Sequence, residues 1–349
     1  SIFIREIANN EIISKEITDT SGSILFSLDN KYIFYSKLDK NHRARKIFRH
    51  EIGNFQNNDE LIFEEKSDAF TVGIALSSDE KYYFISTSDH NTSEQYFFKV
   101  DEKKPHPKLI KKRKKGILYS VSSWDNKFYN HTNEGAEDFK IEISESLENQ
   151  KWKSFIKPKN EVLIGSCIFL KNWIIRSETS NALDRLFVRH ISKESEEELI
   201  ISDEKVCVPS ISLRQKDRNT DEVYIGYSSP KTPSRVYLYD LSKKTKKLVK
   251  EQIIPSGHNS NDYVVERVEF ESHDGRLVPL TITRHKKTKL DGSANLLLYG
   301  YGSYGNSMSP SFSSTRLSLI DRDIIWATAH IRGGMEKGMK WWKEGKLTN

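Results

Sequence analysis

Ser27-Leu28-Asp29-Asn30-Lys31-Tyr32-Ile33-Phe34 returns as Ser77-Ser78-Asp79-Glu80-Lys81-Tyr82-Tyr83-Phe84, and again as Ser123-Trp124-Asp125-Asn126-Lys127-Phe128-Tyr129. Weaker copies stand at Lys171-Asn172-Trp173-Ile174-Ile175 and Thr220-Asp221-Glu222-Val223-Tyr224-Ile225. The polar turn residues Asp29, Asp79, Asp125, Asn172 and Asp221 are 50, 46, 47 and 49 residues apart. Each copy reads as an apolar strand, an Asp/Asn turn and a second strand rich in Tyr, Phe and Ile. A third apolar run follows each turn: Lys46-Ile47-Phe48, Tyr96-Phe97-Phe98, Phe139-Lys140-Ile141, Leu186-Phe187-Val188 and Val236-Tyr237-Leu238-Tyr239. A repeat of this length with several short strands predicts propeller blades, since a stacked β-sandwich has no reason to recur at a near-constant step. The expectation is a partial β-propeller of about five blades over residues 1–255, each blade burying its faces on its neighbours.

Ile254-Pro255-Ser256-Gly257-His258-Asn259-Ser260-Asn261-Asp262 is dense in turn formers, and residues 256–262 read as a linker. Beyond it the pattern changes. Tyr263–Ser272 and Leu277–Arg284 alternate around His273-Asp274-Gly275, which predicts a hairpin. A strand at 295–299, a helix around 312–319, a strand at 324–330 and a helix from about Glu336 follow. Strand, helix, strand is the opening of an α/β layer, so residues 263–349 are expected to be an incomplete α/β sheet. Leu296, Leu297, Leu298, Ile324, Ile325 and Trp326 would then be only partly covered.

The 349 residues carry 55 Lys and Arg against 49 Asp and Glu, a net charge of +6, and 36% are hydrophobic, enough for two cores. No run approaches the roughly 18 apolar residues of a membrane span, so no membrane partner is expected. Ser1-Ile2-Phe3-Ile4-Arg5-Glu6 has charges too close behind its apolar start to be a secretory signal. Cys167 and Cys207 are the only cysteines and lie in apolar surroundings, which predicts buried, reduced thiols and a cytoplasmic protein. No ligand spacing suggests a metal, and no cofactor is expected. The excess charge gathers in Lys103-Lys104-Pro105-His106-Pro107-Lys108 and Lys111-Lys112-Arg113-Lys114-Lys115. Without aromatic interleaving this reads as a solvated loop between strands, and nucleic acid is not the expected partner.

Tyr299-Gly300-Tyr301-Gly302-Ser303-Tyr304-Gly305 closely resembles the glycine-tyrosine turn after an early sheet strand in the hydrolase domain of the prolyl oligopeptidase family. Arg316-Leu317-Ser318-Leu319-Ile320-Asp321-Arg322 and Ala329-His330-Ile331-Arg332-Gly333-Gly334 narrow the resemblance to its oligopeptidase B (protease II) branch. Arg49-His50-Glu51-Ile52-Gly53, Phe63-Glu64-Glu65-Lys66-Ser67-Asp68, Thr92-Ser93-Glu94 and Gly226-Tyr227-Ser228-Ser229 extend it over nearly the whole chain. The resemblance implies a mainly β chain: a partial propeller followed by the first strands and helices of an α/β-hydrolase domain. It also implies a parent serine oligopeptidase that cleaves short peptides after Lys or Arg by acyl transfer. Tyr301 occupies the position whose phenol donates to the developing oxyanion in that family.

Gly-x-Ser-x-Gly, the turn that carries an α/β-hydrolase nucleophile, does not occur in the sequence, so a Ser-His-Asp triad is not assigned to it. The expectation is therefore an internal fragment, inactive alone, whose catalytic part is supplied by a separate chain. The competing reading is a non-catalytic propeller binding module, or the relic of a split gene. Ser309-Pro310-Ser311 stands where bacterial relatives often present acidic residues to basic substrates, and a hydroxyl does not replace a carboxylate against Arg or Lys. His50, Glu64 and Glu65 read as strand-end or turn residues rather than a substrate path. Arg332 reads as ordering its turn.

Overall fold

The structure is a computed structural model that describes residues 1–13, 16–193 and 195–347. Two compact units are present, Ser1–Ala136 with Lys140–Lys157, and Glu137–Phe139 with Pro158–Asn349. Among the described residues there are six four-stranded sheets.

The first unit holds three antiparallel sheets. They are formed by Thr20–Phe26, Tyr32–Leu38, Ala44–Glu51 and Glu60–Glu64, by Thr71–Leu76, Tyr82–Ser88, Ser93–Lys99 and Lys108–Lys111, and by Tyr119–Trp124, Lys127–Thr132, Lys140–Ser144 and Lys153–Ile156. Each repeated turn lies between the first and second strands of its sheet. Ser27 Oγ donates to the Asp29 carboxylate at 2.7 Å, which also accepts the Lys31 N–H at 3.1 Å. Ser77 and Asp79 repeat the arrangement at 2.7 Å. Asn30 and Glu80 follow at φ 56° and 57°, a left-handed position that short polar side chains tolerate better than β-branched ones. The turns are also joined to one another, because Ser123 Oγ donates to the other Asp79 oxygen at 2.7 Å.

Strand alternation sends neighbouring side chains to opposite sheet faces. Tyr83 and Ile85 pack with Phe34, Ile47, Ile62, Val72 and Phe98 of the first and second sheets. Phe84 points the other way, into a cluster with Phe97, Ile110, Tyr119, Val121 and Phe128. One aromatic strand thus serves two cores, as the blade reading requires.

The second unit repeats the pattern with Val162–Phe169, Trp173–Ser180, Leu183–His190 and Glu196–Glu198, and with Val208–Leu213, Glu222–Ser228, Arg235–Asp240 and Thr245–Glu251. Asn172 lies in the tight turn of the first of these sheets. Asp221 ends a longer connection in the second, where its carboxylate accepts from Trp173 Nε1 at 2.8 Å. Leu170, Ile175, Leu186, Val188, Val223 and Ile225 form the core between these two sheets. Both cysteines are half-buried rather than buried, a correction to the sequence expectation, although burial of the thiol itself pushes Cys167 up to about 12.

The sixth sheet differs. Its order is Tyr263–Glu271, Leu277–His285, Ile325–Ala329, Leu296–Gly300, and the last pair is parallel. A parallel pair needs a crossover, and the helix Ser314–Ile320 lies within it, with Ser313 as N-cap. Leu317 and Ile320 pack against Tyr263, with Phe312 and Trp326 alongside. The strand Leu296–Gly300 is an edge. Leu296 and Leu298 are 55% and 61% exposed, and Leu297, Ile324, Ile325 and Trp326 are only half-buried. A second helix, Gly338–Lys343, buries Met339, Trp341 and Trp342. Among the described residues no helix is long and apolar enough to cross a membrane.

Candidate functional site

The parallel register pairs Leu296 with Ile325 and Gly300 with Ala329, so both strands end at the same level. The loops that leave them, Tyr301–Met308 and His330–Glu336, run against each other. Gly305 N–H donates to Gly333 O at 2.8 Å, and Met335 N–H to Ser307 Oγ at 3.2 Å. Glycine is required where they cross: a Cβ on Gly333, at φ +94°, would stand 1.9 Å from Gly302 O, and one on Gly302 would stand 2.3 Å from Arg332 O. The crossing leaves Tyr301 outside, 38% exposed, and its phenol makes no hydrogen bond among the described residues. Arg332 turns away from this loop and pairs with Asp274 of the 272–276 hairpin turn at 2.6 Å, which orders the chain between the two glycines and the strand.

Behind the crossing lies a buried polar group that the sequence reading did not anticipate. His330 is fully buried. Its Nε2 pairs with Thr281 Oγ1 at 2.8 Å. Arg267 also donates to Thr281 Oγ1, at 3.1 Å, and to the carbonyl of Asn181. Burial first, and the Arg267 charge second, push His330 from its usual 6.5 down to about 4. Glu336 is fully buried as well, and burial raises its carboxyl. Asp138 accepts the N–H of Met339 at 2.7 Å and so supplies the cap that Lys337 does not give the last helix. Burial raises the Asp138 carboxyl too. Asp138 carries no local sign of this role, since its partner lies 201 residues away. Glu336, an acid placed directly after Gly333-Gly334-Met335, is the one signal in this group that the sequence offered.

A pH dependence follows. The unfolded chain protonates His330 near 6.5, while the folded chain resists until about 4, so its contribution is complete above pH 6.5 and is lost as pH falls toward 4. The size is about 3 kcal/mol, from the fall between 6.5 and about 4. Glu336 and Asp138 act in the opposite sense, because their raised pKa values favour the folded state as pH falls. Urea titrations of the wild type and of His330→Gln should therefore be compared. The wild-type stability relative to the variant is expected to drop by about 3 kcal/mol between pH 7 and pH 4. A pH-independent difference would show that His330 is not held neutral.

The remaining residues singled out from the sequence have contacts of their own. His50 is fully buried with its Nδ1 in hydrogen-bond contact with Asp59 at 2.7 Å, and Tyr35 donates to the second Asp59 oxygen at 2.8 Å. Glu65 is held below the usual carboxylate range despite its burial by Arg113, which grips both oxygens at 3.0 and 3.1 Å. Lys111 and Lys114 in the same basic run pair with Glu134. Ser309 is exposed, Ser311 half-buried, and the Ser311 carbonyl accepts from Arg316 at 3.0 Å. Among the described residues no group of three or more His, Cys, Asp or Glu side chains is placed to hold a metal ion.

Comparison with known proteins bears on this arrangement. Residues 1–252 match the profile of the prolyl oligopeptidase N-terminal beta-propeller domain. Protease 2 of Moraxella lacunata is 29% identical over 100% of this chain and 50% of its own length. Dipeptidyl aminopeptidase BI of Pseudoxanthomonas mexicana is 29% identical over 100% of this chain and 48% of its own. In the solved structures, oligopeptidase B from Trypanosoma brucei with covalently bound antipain, in its closed form, superposes with a TM-score of 0.90 at 27% identity, over 95% of this chain and 48% of that one. The chain spans about half the length of the curated relatives it matches. Five four-stranded sheets, the profile match and similarity to half of protease 2 over the whole of this chain together make it a member of the prolyl oligopeptidase family, with oligopeptidase B among its relatives.

Proposed function

We propose that the chain is part of a serine oligopeptidase, with residues 1–255 as its propeller, 256–262 as a linker and 263–349 as the opening of its α/β-hydrolase domain. In this reading Tyr301 is the oxyanion donor. The observation that carries it is the crossing of two parallel-strand loops on glycine, which leaves Tyr301 exposed with no acceptor for its phenol among the described residues. A donor fixed in advance at the point where negative charge develops stabilises the transition state without reorganising. The acyl transfer needs a Ser-His-Asp set. Residues 1–349 contain no Gly-x-Ser-x-Gly, so a further segment, in the same or a separate chain, supplies it. The substrates are short peptides. Cleavage after Lys or Arg is the specificity that the resemblance of the sequence to the oligopeptidase B branch implies, with acidic groups outside Ser309-Pro310-Ser311 holding the basic side chain. In this reading the protein works in the cytoplasm, as its two unpaired cysteines suggest.

The test adds a hydrolase segment bearing Gly-x-Ser-x-Gly, Asp and His to the 349-residue chain. A serine-directed phosphonate is expected to label a single serine on the added segment and none on residues 1–349. Peptide amides ending in Arg or Lys should be cleaved only in the mixture. Stoichiometric labelling of a serine within residues 1–349 would overturn the assignment. Docking of the segment without labelling would favour the non-catalytic binding module.

A further inference from the structure

Glu336 has no cationic partner among the described residues, which is unusual for a carboxylate with 0% exposure. Its Oε1 accepts the Met308 N–H at 2.8 Å, and its Oε2 has no partner among the described residues. Gly334 makes room for it, since a Cβ there would lie 2.0 Å from Oε2. The Glu336 carbonyl accepts the N–H of Ala182 at 2.8 Å. Ala182 and Asn181, at φ 58° and 46°, form the tip of the hairpin between Trp173–Ser180 and Leu183–His190. One residue therefore grips the far end of the Tyr301 loop with its side chain and a strand hairpin with its main chain.

The three bonds that hold residues 301–308 against 333–336 are not equivalent. Two use Gly333 O and Ser307 Oγ. The third is made by a fully buried acid whose burial disfavours its charged form. If the position needed only volume, an unbranched apolar side chain would fill it without the cost of desolvating a carboxyl. What such a side chain lacks is an acceptor for the Met308 amide. We propose that Glu336 is a positioning residue for the Tyr301 loop, fixing the end of the loop at Met308 and through it the direction in which the Tyr301 phenol is presented. The catalytic meaning of this rests on the reading of Tyr301 as oxyanion donor, whereas the anchoring itself does not.

Gln and Met at position 336 separate acceptor from filler, because Gln keeps an oxygen at the same reach and Met keeps only the volume. Hydrogen exchange at the Met308 amide is measured in the full chain for the wild type, E336Q and E336M. E336M is expected to accelerate exchange at Met308 about tenfold or more, while E336Q stays within about threefold, as loss of one bond to a buried amide implies. The strands between residues 20 and 251 should be unchanged in both. Equal protection in E336M and wild type would overturn the proposal, and so would loss of protection in E336Q. Should E336M fail to fold, E336Q decides alone by the same threefold limit. With the hydrolase segment added, E336M should lower kcat with KM little changed, and E336Q should restore it. Unchanged turnover in Tyr301→Phe, together with a loosened loop in E336M, would discard the oxyanion reading and leave the anchoring in place.

Discussion

Replacing Tyr301 by Phe in the reconstituted peptidase is expected to lower kcat about 100-fold or more, with KM changed by no more than about twofold. The phenol O–H has no partner among the described residues, so its removal leaves no buried acceptor stranded and should not disturb folding. The ring is already 38% exposed, and little packing depends on the hydroxyl. The bond it would make forms as charge develops on the reacting carbonyl oxygen, which is why the loss should fall on turnover rather than on substrate binding. Steady-state kinetics with an Arg peptide amide supply the measurement. Equal turnover in the two proteins, with the added segment shown to be bound, would remove Tyr301 from the mechanism.

The second large effect concerns stability. Gly333→Ala is expected to destabilise the chain by at least about 4 kcal/mol, in the range reserved for strain and core disruption. Two causes act together. The residue sits at φ +94°, which an L side chain disfavours, and its Cβ would lie 1.9 Å from a backbone oxygen that cannot swing aside. Gly257→Ala isolates the first cause, since Gly257 has φ +83° and nothing within 4 Å of its Cβ position. That variant should lose only about 1 kcal/mol. Urea unfolding of both proteins tests the pair, and similar losses would show that the crossing of the two loops is looser than it stands here.

What could be read from the sequence follows from the range of the interactions involved. The repeat was legible because Ser27-x-Asp29 and Ser77-x-Asp79 complete their hydrogen bonds within three or four residues. The turn chemistry is therefore written locally in the first two sheets. Asp221 was placed in register although its connection is longer, because its strand follows at once. The Tyr301 turn was visible through its glycines, whose necessity becomes physical only when Gly302 meets Arg332 and Gly333 meets Gly302. Thr281, His330 and Arg267 could not be assembled in advance. They come from three strand-associated segments, and no spacing rule places an imidazole beside a particular threonine 49 residues away. The basic run at Lys111–Lys115 was readable as charge, but its pairing with Glu65 and Glu134 depends on which strands lie side by side.

The bond between Asp138 and the Met339 amide has a consequence for the making of the protein. Glu137–Phe139 belong to the second unit although the residues on either side belong to the first, so a segment emitted early is completed only by one emitted late. At about 5–20 residues per second, the ribosome needs roughly 10–40 seconds to travel from Asp138 to Met339. From Lys157 onward the sheets of the first unit have every strand they need, while the Asp138 carboxylate still lacks the Met339 amide. The growing chain thus carries a clock: the first unit has all its residues at Lys157, and the bond from Asp138 to the helix Gly338–Lys343 must wait for about 180 residues more.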